Sequence, residues 1–241
     1  MILLFLISLE LLDTIHLNRE CNSIEVYNNN IYCAPFTGNS IFMLSESKEL
    51  KPITFTDNPN YRIYDFSITP FAIYLNNGSS IDKYYLASGI TEVILRSSNI
   101  SSFIITPSDE LIYSEQQKRE LIFLDFTNNI KFEKNEIKAN HLCFANDQLY
   151  ILTKKALLIS DEYANILESK EITKKVNKIF ADSTHVIIFS SGERLAYLLE
   201  DDWKAIELPH GIRDMSGNNR FIVMLDENGS TLYIYSSSLI E

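Results

Sequence analysis

Four histidines (His16, His141, His185 and His210) and three cysteines (Cys21, Cys33 and Cys143) are the side chains best suited to bind a metal or move a proton. Zinc sites place such ligands at short spacings, as in C-x-x-C. No cysteine here has a partner at that distance, and the histidines share no ligand spacing. The sequence therefore predicts no metal and no cofactor. Nucleophilic catalysis lacks a G-x-S-x-G elbow and a Cys–His context. A calcium loop of the D-x-D-x-D-G kind and a glycine-rich phosphate loop are also missing. The acidic pairs Asp57/Asp65, Asp201/Asp202 and Asp161/Glu162 read as solvated loops, not as an acid and a base. Cys21 and Cys33 stand twelve residues apart and can pair if the chain is exported. Cys143, in HLCFA, reads as a small buried hydrophobe. No catalytic residue is predicted.

Any site must then be assembled by the fold, and the fold is written in repeats. Short runs rich in Ile, Val, Tyr, Phe and Leu recur along the chain: NIYCA, FAIYL, ELIYS, QLYIL, HVIIF and RFIVML. Their markers Ile31, Ile73, Ile112, Leu149, Ile187 and Ile222 lie 42, 39, 37, 38 and 35 residues apart. A period near 40 with several strands per repeat is the signature of a β-propeller. The second repeat divides into strands at 62–68, 71–75, 81–87 and 91–95, the fifth at 176–181, 185–189, 193–199 and 203–208. Gly38, Gly78, Gly192 and Gly229 each fall between the second and third strands of a repeat. Asn77-Gly78 and Asn228-Gly229 predict two-residue hairpins. The best helical stretch, 112–124, fits a polar hairpin as well.

The expected fold is thus all-β: a single β-propeller of about six four-stranded blades. The sixth repeat, 211–238, has room for three strands, and residues 11–17 (LLDTIHL) are expected to supply the fourth and close the ring. Aligned on the repeats, Asp65, Ser102, His141, Lys178 and Arg213 fall at equivalent places on the innermost strands, 37, 39, 37 and 35 residues apart. Such residues are expected to ring the central channel, where an acid, a hydroxyl, an imidazole and two bases offer a site for a small polar ligand.

The pattern in IYDFSITPFAIYL (63–75), ISSFIITPSDELIYS (100–114) and VNKIFADSTHVIIFS (176–190) resembles six-bladed β-propellers of the broad TolB-like and NHL-like group. The resemblance covers nearly the whole chain and implies a fold; propellers host binding proteins and enzymes alike. Residues 181–198 and 220–235 also resemble repeats of the regulator of chromosome condensation family. Here the repeats are shorter and that family's glycines are mostly missing. The Trp-Asp pair of WD40 repeats is reversed in Asp202-Trp203.

Lysine and arginine number 21 against 32 aspartates and glutamates, a net charge of −11. Like-charge repulsion argues against nucleic acid or an anionic membrane surface as partner. The apolar run Met1–Leu9 has the length of a signal-peptide core and is too short to span a bilayer, which takes roughly 20 residues. The chain is therefore expected to be exported (periplasmic or secreted), with residues 1–9 as signal peptide, residues 10–241 as propeller, and no integral membrane segment after processing. A cytoplasmic chain is the alternative. The functional expectation is a non-catalytic binding or scaffolding module for a protein partner. The alternatives are a lactonase-like or other hydrolase with a channel site, and an intracellular adaptor. The thirteen tyrosines, Tyr84, Tyr85, Tyr233 and Tyr235 among them, suit contacts with protein but are expected mostly to pack between blades.

Overall fold

The computed structural model of the protein describes residues 9–45, 47–97, 99–115, 117–125, 127 and 129–239. Of the apolar Met1–Leu9 run, only Leu9 falls within them.

Short β-branched and aromatic runs between turn residues form twenty-four strands among the described residues, arranged as six four-stranded antiparallel sheets. Blade 1 comprises β2 (Ser23–Tyr27), β3 (Asn30–Ala34), β4 (Ser40–Leu44) and β5 (Leu50–Thr54). Blade 2 comprises β6 (Asp65–Ile68), β7 (Ala72–Asn76), β8 (Ser80–Tyr85) and β9 (Thr91–Arg96). Blade 3 comprises β10 (Ile100–Ile105), β11 (Leu111–Glu115), β12 (Glu120–Leu124) and β13 (Ile130–Asn135). Blade 4 comprises β14 (His141–Ala145), β15 (Gln148–Leu152), β16 (Ala156–Ser160) and β17 (Ile166–Glu171). Blade 5 comprises β18 (Lys178–Ala181), β19 (Val186–Phe189), β20 (Leu195–Leu199) and β21 (Trp203–Glu207). Blade 6 joins β22 (Ile212–Gly217), β23 (Phe221–Asp226) and β24 (Thr231–Leu239) to the N-terminal β1 (Leu9–His16). The ring is the six-bladed propeller that the repeats predict. The stretch 112–124 is the β11–β12 hairpin.

Alternation puts one side-chain row of each strand against the preceding blade and the other row against the following blade. The core is accordingly six apolar clusters, one per junction. Phe66, Ile73 and Leu75 meet Ile41 between blades 1 and 2; Phe180, Phe189 and Leu198 meet Ile222 and Tyr235 between blades 5 and 6. Tyr84 and Tyr233 pack against these two clusters, the role that alternation gives them. The innermost strands touch in sequence around the ring, β22 returning to β2.

The closing strand runs two residues earlier at its start than residues 11–17. Ile15 fills the cluster between blades 6 and 1. The seam is tight at Gly229: its φ is +74°, and a Cβ there would stand 2.1 Å from the Cys21 carbonyl oxygen. Only glycine fits.

Two turn expectations are corrected. Asn77 and Asn228 do not take positive φ; only Gly78 and Gly229 do. The Asn77 side chain instead accepts the N–H groups of Ser79 and Ser80, so the loop is longer than two residues. The two-residue turns with both φ positive are Asn28-Asn29 and Asn146-Asp147, each joining the first and second strands of a blade without a glycine.

Candidate functional site

All six innermost strands line one channel. Its waist is a cavity of about 230 Å³. Asp65 and His141 also line a wider mouth of about 630 Å³, with Asn140, Asn177, Tyr64 and Lys178. Glu25 and Phe144 also line the opposite mouth, about 390 Å³, where Phe71 of the Thr69-Pro70-Phe71 turn is 72% exposed.

The polar side chains of the inner strands mostly brace one blade to the next. An innermost strand has neighbours on one edge only, and its channel-side N–H groups need acceptors. Asp214 Oδ2 accepts the Ile24 N–H at 3.0 Å, from blade 6 to blade 1. Glu25 Oε1 accepts the Ile68 N–H at 3.1 Å, from blade 1 to blade 2. Ser102 Oγ accepts the Leu142 N–H at 3.0 Å, from blade 3 to blade 4, and Ser216 Oγ accepts the Val26 N–H at 2.9 Å. Lys178 Nζ donates to Asp214 Oδ1 at 3.0 Å, linking blade 5 to blade 6.

Of the five residues aligned on the sequence, Asp65, His141 and Lys178 face this channel. Ser102 is buried and serves as a brace. Arg213 does not face the channel. A register shift between Ile212 and Asp214 gives the channel position to Asp214 and turns Arg213 into the seam between blades 6 and 1. There its guanidinium donates to the carbonyls of Glu227 and Cys21 and pairs with Glu20 at 3.0 Å. Asp65 is likewise no solvated loop acid. Glu25 and Asp214 complete the ring and were missed by the alignment; the available signal was a lone acid in an otherwise apolar strand, as in SIEVY.

Burial dominates the electrostatics. It pushes the Asp65 carboxyl up to about 6, against the pull of Lys178 and with the repulsion of Asp214. Burial also raises Glu25 well above the carboxylate range, with repulsion from Asp65 and Asp214 adding to it. Burial, then Lys178, holds His141 far below the usual imidazole value, so this ring is neutral at pH 7. Burial works against the Lys178 ammonium, but Asp214 and Asp65 outweigh it and hold the group charged. Two polar atoms in the channel wall, His141 Nδ1 and Glu25 Oε2, are buried without a hydrogen-bond partner.

A test follows from Asp65. Its folded value lies above the ~3.9 of an unfolded aspartate. Between those values the folded chain holds a proton that the unfolded chain releases, so this group's contribution falls as pH rises through 6. His141 opposes the trend, because acid charges it only after unfolding. Asp65→Asn is therefore expected to raise the melting temperature at pH 8 and to leave it nearly unchanged at pH 4. Equal effects at both pH values, measured by thermal denaturation, would contradict the assignment.

The remaining histidines do structural work. His185 is buried against Asp182 at 3.2 Å, His210 stacks on Tyr233 with centroids 4.0 Å apart, and His16 meets Thr231. Among the described residues no three His, Cys, Asp or Glu side chains come together closely enough to hold a metal ion. Cys21 and Cys33 are unbridged and buried in one cluster; Cys143 is half-buried, its thiol directed at the Ala181 carbonyl.

No protein-family profile and no curated protein sequence matches the chain. Solved structures do share its ring. A streptogramin B lyase superposes with a TM-score of 0.65 at 10% identity, over 94% of this chain and 87% of that one. A catalytically inactive virginiamycin B lyase from Staphylococcus aureus, with quinupristin, gives 0.68 at 11%, over 92% and 98%. A chain of the mitotic checkpoint complex gives 0.67 at 8%, over 95% and 92%. An enzyme and a component of a protein assembly thus share this architecture, and at these identities the likeness is one of fold alone.

Proposed function

We propose that this propeller is a non-catalytic binding module that presents a rigid, acidic ring to a protein partner. The observation that supports the reading is the use made of the chemistry-bearing side chains. Asp214, Glu25 and Ser102 accept backbone N–H groups of the next blade, and Lys178 is paired with Asp214. A carboxylate so held is poorly placed to take a proton from a substrate. A braced ring instead gives loops and edges a fixed frame for recognition. The proposal places the chain outside the cytoplasm, on the Met1–Leu9 run, and the intact mass of the native chain tests that placement.

The function is tested by immobilising the purified chain in extract of its native host. One protein recovered in stoichiometric amount, and displaced by excess free chain, is the expected result. Turnover of a panel of lactones and esters that is lost in His141→Ala would overturn the reading in favour of a hydrolase. A second reading, a small polar ligand in the channel, is favoured by the two buried atoms without partners, His141 Nδ1 and Glu25 Oε2. A ligand whose thermal stabilisation disappears in His141→Leu would establish it.

A further inference from the structure

The widest cavity among those described lies at the rim, not in the channel. The end of blade 4 with the segment that follows it, residues 171–174, and the outer strands of blade 5 enclose a groove of about 1180 Å³. Strand β17, ILESKE, gives it Glu171 but no apolar side chain. Ile166 and Leu167 are exposed, and no β17 side chain joins the apolar cluster between these blades. Between blades 2 and 3, by contrast, Ile94 and Leu95 of the corresponding outer strand β9 pack against the cluster. The floor of the groove is Ile172, Ile188, Tyr197 and Trp203, with Leu195 beside them 42% exposed. The Trp203 indole N–H donates to the Glu171 carbonyl at 2.9 Å, which fixes the half-buried ring where it packs on the cluster between blades 4 and 5 and lines the groove.

The rim is charged and unbalanced. Glu171, Glu200, Asp201 and Asp202 face Lys174 and Lys204, with Lys204 bound to Glu200 at 3.2 Å, while Lys170 reaches the Asp201 carbonyl at 3.1 Å from beside the groove, so four carboxylates stand against three ammonium groups. An apolar floor under an acidic rim is complementary to a segment carrying apolar and cationic side chains. The aromatic faces of Tyr197 and Trp203 suit guanidinium or ammonium groups. Its volume of about 1180 Å³ exceeds the roughly 300–1,000 Å³ of small-molecule sites.

We propose that this groove docks an extended segment of the partner protein in which apolar residues alternate with lysine or arginine. The proposal rests on the binding-module reading and names the partner's chemistry. It carries its own reporter, since Trp203 is the one tryptophan in the sequence.

The experiment titrates the full chain with a hexapeptide of alternating leucine and arginine, following tryptophan emission. A saturable change is expected, weakening about tenfold as salt rises from ~0.05 to ~0.3 M. The alternating leucine–glutamate hexapeptide is expected to leave the emission unchanged. Asp201→Asn/Asp202→Asn should weaken binding several-fold. Leu195→Lys, a change at an exposed position, should abolish it while leaving the melting temperature unchanged. An emission that does not respond to the leucine–arginine peptide, or responds equally to both peptides, overturns the proposal. So does binding that both variants retain. A native partner captured equally by wild type and by Leu195→Lys removes the groove and keeps the binding module. Capture of no partner removes both.

Discussion

Lys178→Met is expected to destabilise the propeller by about 3–5 kcal/mol at pH 7, the usual cost of removing one member of a buried ion pair. The Lys178 side chain is 21% exposed and that of Asp214 9%, so neither charge is well hydrated. Methionine matches the length of the lysine stem but leaves Asp214 without its cation and near Asp65. In a domain of this size such a loss lowers the melting temperature by roughly 10 °C. The companion variant separates charge from packing. Lys178→Met with Asp214→Asn removes both charges and keeps an acceptor for the Ile24 N–H, so it should recover most of the loss. Denaturant unfolding of the two variants decides the matter. A single variant as stable as wild type, or a double variant worse than the single, would mean that the pair does not hold blades 5 and 6 as described.

Removal of residues 1–16 is expected to abolish cooperative unfolding altogether. β1 pairs with β24 from Leu9 to His16, seals Ile15 into the junction of blades 6 and 1, and ties Asp13 to Lys48 of blade 1 at 2.7 Å. Without it the nine-residue β24 becomes an exposed edge, which invites aggregation. A synthetic peptide of residues 9–17, added in trans, should restore a single transition. A truncated chain that melts within a few degrees of the full one would show that the ring does not depend on its closing strand.

The repeat period, the four strands per blade and the N-terminal closure were legible because each follows from spacing and composition: a strand interior needs β-branched and aromatic residues, and a turn needs polar ones. The turns were less legible. Asn28-Asn29 and Asn146-Asp147 take positive φ without any glycine, whereas Asn77 uses its side chain in place of an unusual backbone. Asparagine supports both solutions, and the neighbours decide between them. The channel was legible at Asp65, His141 and Lys178, where register follows the period. It failed at Arg213, because one extra residue in a strand reverses the direction of every side chain from there on, and the sequence does not mark the shift. Glu25 carried a local signal, a lone acid in the apolar run SIEVY, but its partner did not: the Ile68 N–H that it accepts belongs to the next blade and has no mark near Glu25 in the sequence.

The central claim is that the polar side chains of the inner strands hold the blades together. Amide hydrogen exchange at Ile24, Ile68 and Leu142 tests it most directly, because Asp214, Glu25 and Ser102 hold these three N–H groups. The account predicts that all three exchange as slowly as the blade interiors, and that Ser102→Ala releases the Leu142 amide while leaving Ile24 and Ile68 protected. Wild-type exchange at these positions as fast as in the exposed loops would contradict it.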